Sequence, residues 1–97
     1  MARRPPQRRN RVASLHTAEY RRFVDLLVER RVAAEITQQE LADRLGLPQS
    51  LIAKIEKCQR RVDLIELIRI ASAIGFDVAR LVREVRAEMI EHGALDV

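Results

Sequence analysis

One short predicted helix carries an amide, a hydroxyl, a methyl and an amine on the same side, contributed by Gln49, Ser50, Ala53 and Lys54. An amide at the start of a helix can hydrogen-bond to adenine, and a lysine one turn later can reach guanine or a phosphate. Ala53 either contacts a thymine methyl group or is small so that the helix fits. The alternative for the whole face is an ordinary solvated helix surface.

This helix follows another short helix across a tight corner. Thr37 and Glu40 have the spacing of a capping box, so they predict where the first helix begins. Gly46 supplies the positive φ that ends it, and Pro48 suits the start of the second. The predicted buried residues of the pair are Leu41, Ala42, Leu45, Ile52 and Ile55. Two helices joined around a glycine form a helix-turn-helix, whose second helix can enter the major groove of DNA.

Three further helices are predicted around this pair. Thr17, Asp63 and Asp77 are their caps, Glu66 completes a capping box with Asp63, and Gly75 ends the middle helix. Their apolar stripes comprise Tyr20, Phe23, Val24, Leu27 and Val28; Leu64, Leu67, Ile68, Ala71 and Ile74; and Val78, Leu81, Val82, Val85, Met89 and Ile90. With 3% aromatic residues the core must be aliphatic, and the pattern predicts an all-α fold of five helices.

The positive charge is concentrated at the N-terminus. Residues 1–14 hold five arginines and no acid, whereas the rest of the chain holds 13 basic and 14 acidic residues. These arginines are Arg3, Arg4, Arg8, Arg9 and Arg11. We expect residues 1–14 to be a disordered basic arm and residues 15–97 to be one folded domain. The arm either lies on DNA phosphates or in a minor groove, or is a solubilising tail.

The composition argues against several classes of protein. The single cysteine, Cys58, excludes an intramolecular disulfide and a cysteine-based zinc site. No set of residues has the spacing of a catalytic, metal or cofactor site, so we expect a protein that is not an enzyme and needs no cofactor. The chain has no apolar run of about 20 residues, the length of a membrane span. We therefore expect a cytoplasmic protein.

From about Leu27 to Leu81 the chain resembles the phage repressor/Cro-type (Xre-type) helix-turn-helix family. The matching positions are Arg31, Thr37, Gln38, Leu41, Ala42, Gly46, Ile52, Ile55, Glu56 and the run from Ala71 to Gly75. The resemblance implies a five-helix, lambda-repressor-like bundle that binds double-stranded DNA. It departs from the family at Cys58, where a glycine in a left-handed turn is usual, and this predicts either local strain or a different loop path.

The resemblance also implies roles for individual residues. It puts Gln49, Ser50, Ala53 and Lys54 at base-facing positions and pairs Arg31 with Glu56. The expected phosphate contacts are Gln38, Gln39, Lys57, Gln59, Arg60 and Arg61.

The last predicted helix leaves two interpretations open. Val82, Val85, Met89 and Ile90 either complete the core or form the seam of a homodimer. A dimer would place two recognition helices about one DNA turn apart and match an inverted repeat. We favour the dimer. The expected function is a sequence-specific DNA-binding transcriptional regulator, most simply a homodimeric repressor, and activation through contact with polymerase stays open. The alternative is an antitoxin or interaction module that binds a toxin or another protein through its helices.

Overall fold

The computed structural model describes residues 15–96, and within that range it contains five α-helices and no strand. The helices are α1 (Ala18–Ala33), α2 (Gln38–Leu45), α3 (Gln49–Glu56), α4 (Leu64–Ile74) and α5 (Val78–Glu91). The all-α, five-helix prediction is confirmed. The predicted arm, with Arg3, Arg4, Arg8, Arg9 and Arg11, lies outside the described residues.

Side-chain caps lie at the starts of four of the five described helices, whereas α3 follows Pro48 without one. At α2, Thr37 Oγ1 accepts a hydrogen bond from the Glu40 N–H at 3.0 Å, and the Thr37 N–H donates to Glu40 Oε1 at 2.8 Å. The backbone hydrogen bond from Thr37 lowers the pKa of the Glu40 carboxyl. Asp63 and Glu66 make the same reciprocal pair at the start of α4. Both predicted capping boxes are confirmed.

The core is aliphatic and lies where α1, α2, α3, α4 and α5 meet. Its buried residues are Leu26, Leu27, Ile36, Leu41, Ala42, Ile52, Ile55, Val62, Leu67, Ile70 and Leu81. No helix among the described residues is long and apolar enough to cross a membrane.

The prediction for the apolar face of α4 is wrong in part. The sequence pattern places Leu64 and Ile68 on that face, but the structure leaves them 65% and 46% exposed and buries Ile70 instead. The segment from Leu64 to Ala71 is apolar on almost every side, so its periodicity does not select one face.

Helix α5 packs against α1 through apolar contact flanked by ion pairs. Arg22 Nε lies 2.7 Å from Glu88 Oε1, and Arg30 Nη2 lies 2.9 Å from Glu84 Oε2. Val85, between these glutamates in sequence, packs against the core. The two pairs therefore align α5 along α1.

The corner between α2 and α3 is closed by Gly46 in the left-handed conformation, with φ of 68°. The N–H of the next residue, Leu47, donates a hydrogen bond to the Ala42 carbonyl at 2.9 Å. Ala42 is fully buried, and its small side chain allows α3 to approach α2 closely. These features place α3 across α2 with one face directed outward.

Candidate nucleic-acid interface

The outer face of α3 carries the predicted base-reading residues. Ser50 and Lys54 are exposed, and Gln49 and Ala53 are half-buried. On the opposite face Ile52 and Ile55 are buried in the core. The predicted reading face is therefore at the surface of the monomer and is supported from behind by aliphatic side chains.

A continuous set of hydrogen bonds connects α1 to the start of α3. Arg31 binds Glu56 through two bonds, Nε to Oε2 at 2.7 Å and Nη2 to Oε1 at 2.9 Å. Gln38 Nε2 donates to the same Glu56 Oε1 at 2.8 Å, and Gln49 Nε2 donates to Gln38 Oε1 at 2.7 Å. We call Arg31, Glu56, Gln38 and Gln49 the amide relay. It links the pair suggested by the family resemblance to the amide predicted to read a base.

Arg31 has a further role in this arrangement, because its Nη1 donates to the Ile36 carbonyl at 2.8 Å. The side chains of Arg31 and Glu56 are only 13% and 12% exposed. A charge pair that is shielded to this degree, with several directional hydrogen bonds, orients the elements it joins. It fixes the end of α3 against α1.

Gln39, the other predicted phosphate contact at the start of α2, is not part of the relay. Its Nε2 donates to Asp43 Oδ1 at 2.8 Å, one turn later on the exposed side of α2. The two adjacent glutamines thus differ: the Gln38 side chain is held between α3 residues, and the Gln39 side chain bonds within its own helix.

The end of α3 shows how the loop accommodates Cys58. This residue has φ of 58°, in the left-handed region, and its side chain is 1% exposed. The Cys58 N–H donates to the Ile55 carbonyl at 3.0 Å, and the Gln59 N–H donates to the Lys54 carbonyl at 2.8 Å. Cys58 therefore closes the helix as a glycine would, in a backbone conformation that costs a residue with a side chain some strain.

The loop after α3 contains the other predicted phosphate contacts. Lys57 and Gln59 are exposed. Arg60 instead binds Glu66 through both η nitrogens, at 2.9 Å and 2.7 Å. This pair raises the pKa of the Arg60 guanidinium and lowers the pKa of the Glu66 carboxyl. The charge of Arg60 is thus already paired with a carboxylate of the same chain.

Tyr20 holds the same loop against α1. Its hydroxyl accepts a hydrogen bond from the Val62 N–H at 3.0 Å. The guanidinium of Arg61 lies over its ring, 5.1 Å from the centroid. An edge-to-face contact with Phe23, with centroids 5.5 Å apart, fixes the ring in turn.

Sequence reasoning missed Tyr20 and Glu66 as residues that shape the interface. For Glu66 a signal was present, because its capping-box spacing placed it close to the loop and to Arg60. Tyr20 was assigned only to an apolar stripe, since its bond to Val62 joins residues 42 positions apart. Such a contact cannot be predicted from local spacing.

The predicted dimer seam has mixed exposure in the monomer. Val82 is 49% exposed, Val85 packs against the core, and Met89 and Ile90 are half-buried. Val85 and Met89 also line a groove of about 350 Å³ between α1 and α5. The four residues therefore contribute to the packing of the monomer to different extents.

Residues 27–81 match the helix-turn-helix family model HTH_3. The chain is also similar to a solved structure, an XRE-family like protein from Pseudomonas syringae pv. tomato str. DC3000, with 46% sequence identity and a TM-score of 0.72. That similarity covers 75% of this chain and 89% of the other. No curated protein is significantly similar in sequence. Because the family model spans more than half of the 97 residues, the chain belongs to the XRE-type helix-turn-helix family of DNA-binding proteins.

Proposed function

We propose that this XRE-family DNA-binding regulator is a sequence-specific repressor that binds an inverted repeat as a homodimer. The observation that carries the proposal is the outward polar face of α3, with the Gln49 amide held in place by the amide relay. A helix presented in this way can enter the major groove and hydrogen-bond to base edges. Bound over a promoter, the protein would repress by blocking access to it.

The base readers in this proposal are Gln49, Ser50, Ala53 and Lys54. Gln49 and Ser50 lie in the first turn of α3, which is the part of a recognition helix that reaches deepest into the groove. Lys54 is exposed one turn later and can reach guanine or a neighbouring phosphate.

Phosphate contacts come from residues on either side of the reading face. Lys57 and Gln59 are exposed directly after α3, and the N-terminus of α2 offers backbone N–H groups near Gln38 and Gln39. Arg61 contributes positive charge at the loop. Arg60 acts mainly by shaping that loop through Glu66. The basic arm adds affinity that does not depend on sequence.

The dimer places one recognition helix on each half of the inverted repeat. Its seam is formed by Val82, Val85, Met89 and Ile90 on the apolar stripe of α5, and Val82 is the most exposed of them in the monomer. An isologous contact of this kind gives a two-fold axis that matches the symmetry of the DNA site.

A protein partner is the second candidate, and the exposed apolar residues of α4 favour it. Leu64, Ile65 and Ile68 are all exposed at the start of this helix. Contiguous exposed apolar side chains often mark protein-binding surfaces. Co-purification of one stoichiometric small protein, without DNA affinity, would support this candidate over repression.

The test selects bound duplexes from random-sequence DNA with the purified full chain and sequences them. We expect an inverted repeat. Gln49→Ala and Lys54→Ala should each relax the preference at one defined position, at a cost of about 1 to 3 kcal/mol. Lys57→Ala should weaken binding to all sequences alike. If the three variants behaved identically, the assignment of base readers and phosphate contacts would be wrong.

A further inference from the structure

The Tyr20 hydroxyl, near the start of α1, uses only part of its hydrogen-bonding capacity within residues 15–96. It accepts a hydrogen bond from the Val62 N–H at 3.0 Å, and no group in this range accepts a hydrogen bond from it. A phenol hydroxyl can both accept and donate, and in a folded protein it usually finds a partner. The Tyr20 side chain is half-buried, so its O–H hydrogen is left for a partner at the surface.

The hydroxyl is held in position by contacts that do not use this hydrogen. The Val62 N–H binds its oxygen, and the ring packs edge-to-face on Phe23 with centroids 5.5 Å apart. The Arg61 guanidinium covers the ring at 5.1 Å from its centroid. Because the donor is already fixed, a ligand that accepts its hydrogen would lose little affinity to the ordering of this side chain.

The charges around the hydroxyl favour an anionic acceptor. The pKa of Arg60 is raised chiefly by its bond with Glu66 and less by Asp63 and the phenol, so Arg60 also lies near the ring. Arg60 offsets the charge of Glu66, and Asp63 accepts the Glu66 N–H at 2.7 Å. An anion at Tyr20 would therefore meet an O–H donor beside the Arg61 cation. Charge-assisted hydrogen bonds of this kind are short and strong.

The loop that Tyr20 holds suggests which anion this is. Lys57 and Gln59, in the first part of the loop, are exposed and are proposed phosphate contacts. Val62 lies near the end of the same loop, so the Tyr20 hydroxyl lies beside the proposed path of the DNA backbone. Phosphate contacts in protein–DNA complexes come from tyrosine hydroxyls as well as from basic side chains.

We propose that Tyr20 is a DNA-binding residue whose hydroxyl accepts the Val62 N–H and donates its own hydrogen to a backbone phosphate oxygen. The proposal rests on the proposed function, because it assumes that the loop after α3 lies along DNA. It adds α1 to the elements that contact the duplex. It also gives a polar role to a residue that the sequence pattern places only on an apolar stripe.

Tyr20→Phe tests the contact, because it keeps the ring on Phe23 and under Arg61 and removes only the hydroxyl. Binding to every duplex should weaken about 10-fold, since a hydrogen bond to a charged group is lost and no base is read. The slope of binding against salt should stay that of the wild type, because no charge is removed. Lys57→Ala is the control and should lower that slope by about one.

The same variant also removes the acceptor of the Val62 N–H, so a second measurement separates phosphate binding from support of the loop. Each phosphate of a selected duplex is replaced in turn by a neutral methylphosphonate. At one phosphate, the loss of affinity should be at least about threefold smaller in Tyr20→Phe than in the wild type. At the phosphate that Lys57→Ala identifies, Tyr20→Phe should keep the wild-type loss. Circular dichroism confirms that both variants are folded.

The unmodified protein provides an independent readout, because Tyr20 is the only tyrosine of the chain. Protein labelled with ¹³C at the tyrosine ζ carbon gives one signal for this residue. We expect that signal to shift when the selected duplex is added. A methylphosphonate at the phosphate assigned to Tyr20 should abolish the shift, and one at the phosphate assigned to Lys57 should not.

The outcomes distinguish this proposal from the proposed function. If wild type and Tyr20→Phe respond alike to every methylphosphonate, or the labelled signal does not shift, Tyr20 contacts no phosphate, and DNA recognition by α3 still stands. If Tyr20→Phe also loses the response at the Lys57 phosphate, the hydroxyl only supports the loop, and the proposal is overturned. If the full chain selects no duplex, the proposed function fails and this contact fails with it.

Discussion

At the scale of single residues, Cys58 occupies a backbone conformation that favours glycine. Its φ of 58° is left-handed, a conformation that costs a residue with a side chain about 1 to 2 kcal/mol. Cys58→Gly relieves this strain. The glycine also raises the conformational entropy of the unfolded chain, which lowers stability by about 0.5 to 1 kcal/mol. Cys58→Ala keeps the strain. Both lose the buried sulfur, so we expect Cys58→Gly to be more stable than Cys58→Ala by about 0.5 to 1 kcal/mol.

Urea unfolding of the two variants measures this difference directly. A Cys58→Ala protein more stable than Cys58→Gly would show that the left-handed turn is relaxed without a glycine. Because both variants remove the thiol, the loss of the sulfur itself does not affect the comparison.

Glu66 makes the stability of the domain depend on pH. Its hydrogen bond from Arg60 lowers its pKa below the ordinary value of 4.5. The unfolded chain therefore binds this proton more readily than the folded one. The stabilisation is complete above pH 4.5 and is lost as the pH falls through the lower folded pKa. Melting temperatures measured from pH 7 down to pH 3 should fall less steeply below this value in Glu66→Gln than in the wild type.

Arg60→Met is the partner control for this prediction. It leaves the carboxyl but removes the main cause of its lowered pKa. Like Glu66→Gln, this variant should show a less steep fall of melting temperature as the pH drops below 4.5. If the melting temperature of either variant fell with pH as steeply as that of the wild type, the pair would not form in solution.

At the scale of helices, the pair of Arg31 and Glu56 connects the end of α1 to the end of α3. Removing one partner of a shielded pair leaves the other charge without compensation, which costs about 3 to 5 kcal/mol. We therefore expect Glu56→Ala to lower the free energy of unfolding by that order and to weaken DNA binding at the same time. Urea unfolding and mobility-shift titrations measure the two effects.

A double-mutant cycle with Arg31→Met supplies the control. The double variant should lose less stability than the sum of the two single variants, because neither charge is left alone. Unchanged stability in Glu56→Ala would show that the pair contributes nothing to joining α1 and α3.

The helices themselves could be predicted well from sequence, because their signals are local. Capping boxes at Thr37 and Asp63 determine two helix starts, and a glycine ends α2 at Gly46. The outward face of α4 was mispredicted at Leu64 and Ile68, since nearly every position there is apolar and only tertiary packing selects the buried side.

For the candidate site too, local sequence patterns predict some features, whereas contacts between distant residues cannot be predicted from them. The surface position of Ser50 and Lys54 follows from the apolar period of α3, and the structure agrees with it. The amide relay and the contact between Tyr20 and Val62 join residues far apart in sequence. No periodic pattern specifies which of many polar side chains will meet across a fold, so these contacts appear only in three dimensions.

At the scale of the whole molecule, much of the charge of residues 15–96 is used internally. Four arginines pair with glutamates across the fold or across a loop: Arg22, Arg30, Arg31 and Arg60. The formal net charge of the chain is +4, and residues 1–14 contribute five positive charges to it. The long-range attraction to DNA should therefore come mainly from the N-terminal segment, with Lys54 and Lys57 acting locally at α3.

Val82 allows the proposed dimer to be tested without disturbing the monomer. It is 49% exposed, so Val82→Glu leaves the core of the single chain intact but would place an unpaired charge in the seam. We expect a wild-type dimer and a Val82→Glu monomer by light scattering after gel filtration. Loss of bivalent contact should weaken binding to the full inverted repeat by about 100-fold or more. Ala87→Glu, exposed on another face of α5, is the control and should remain dimeric. A Val82→Glu protein that stays dimeric would place the two-fold contact elsewhere, and the exposed start of α4 would be the next surface to test.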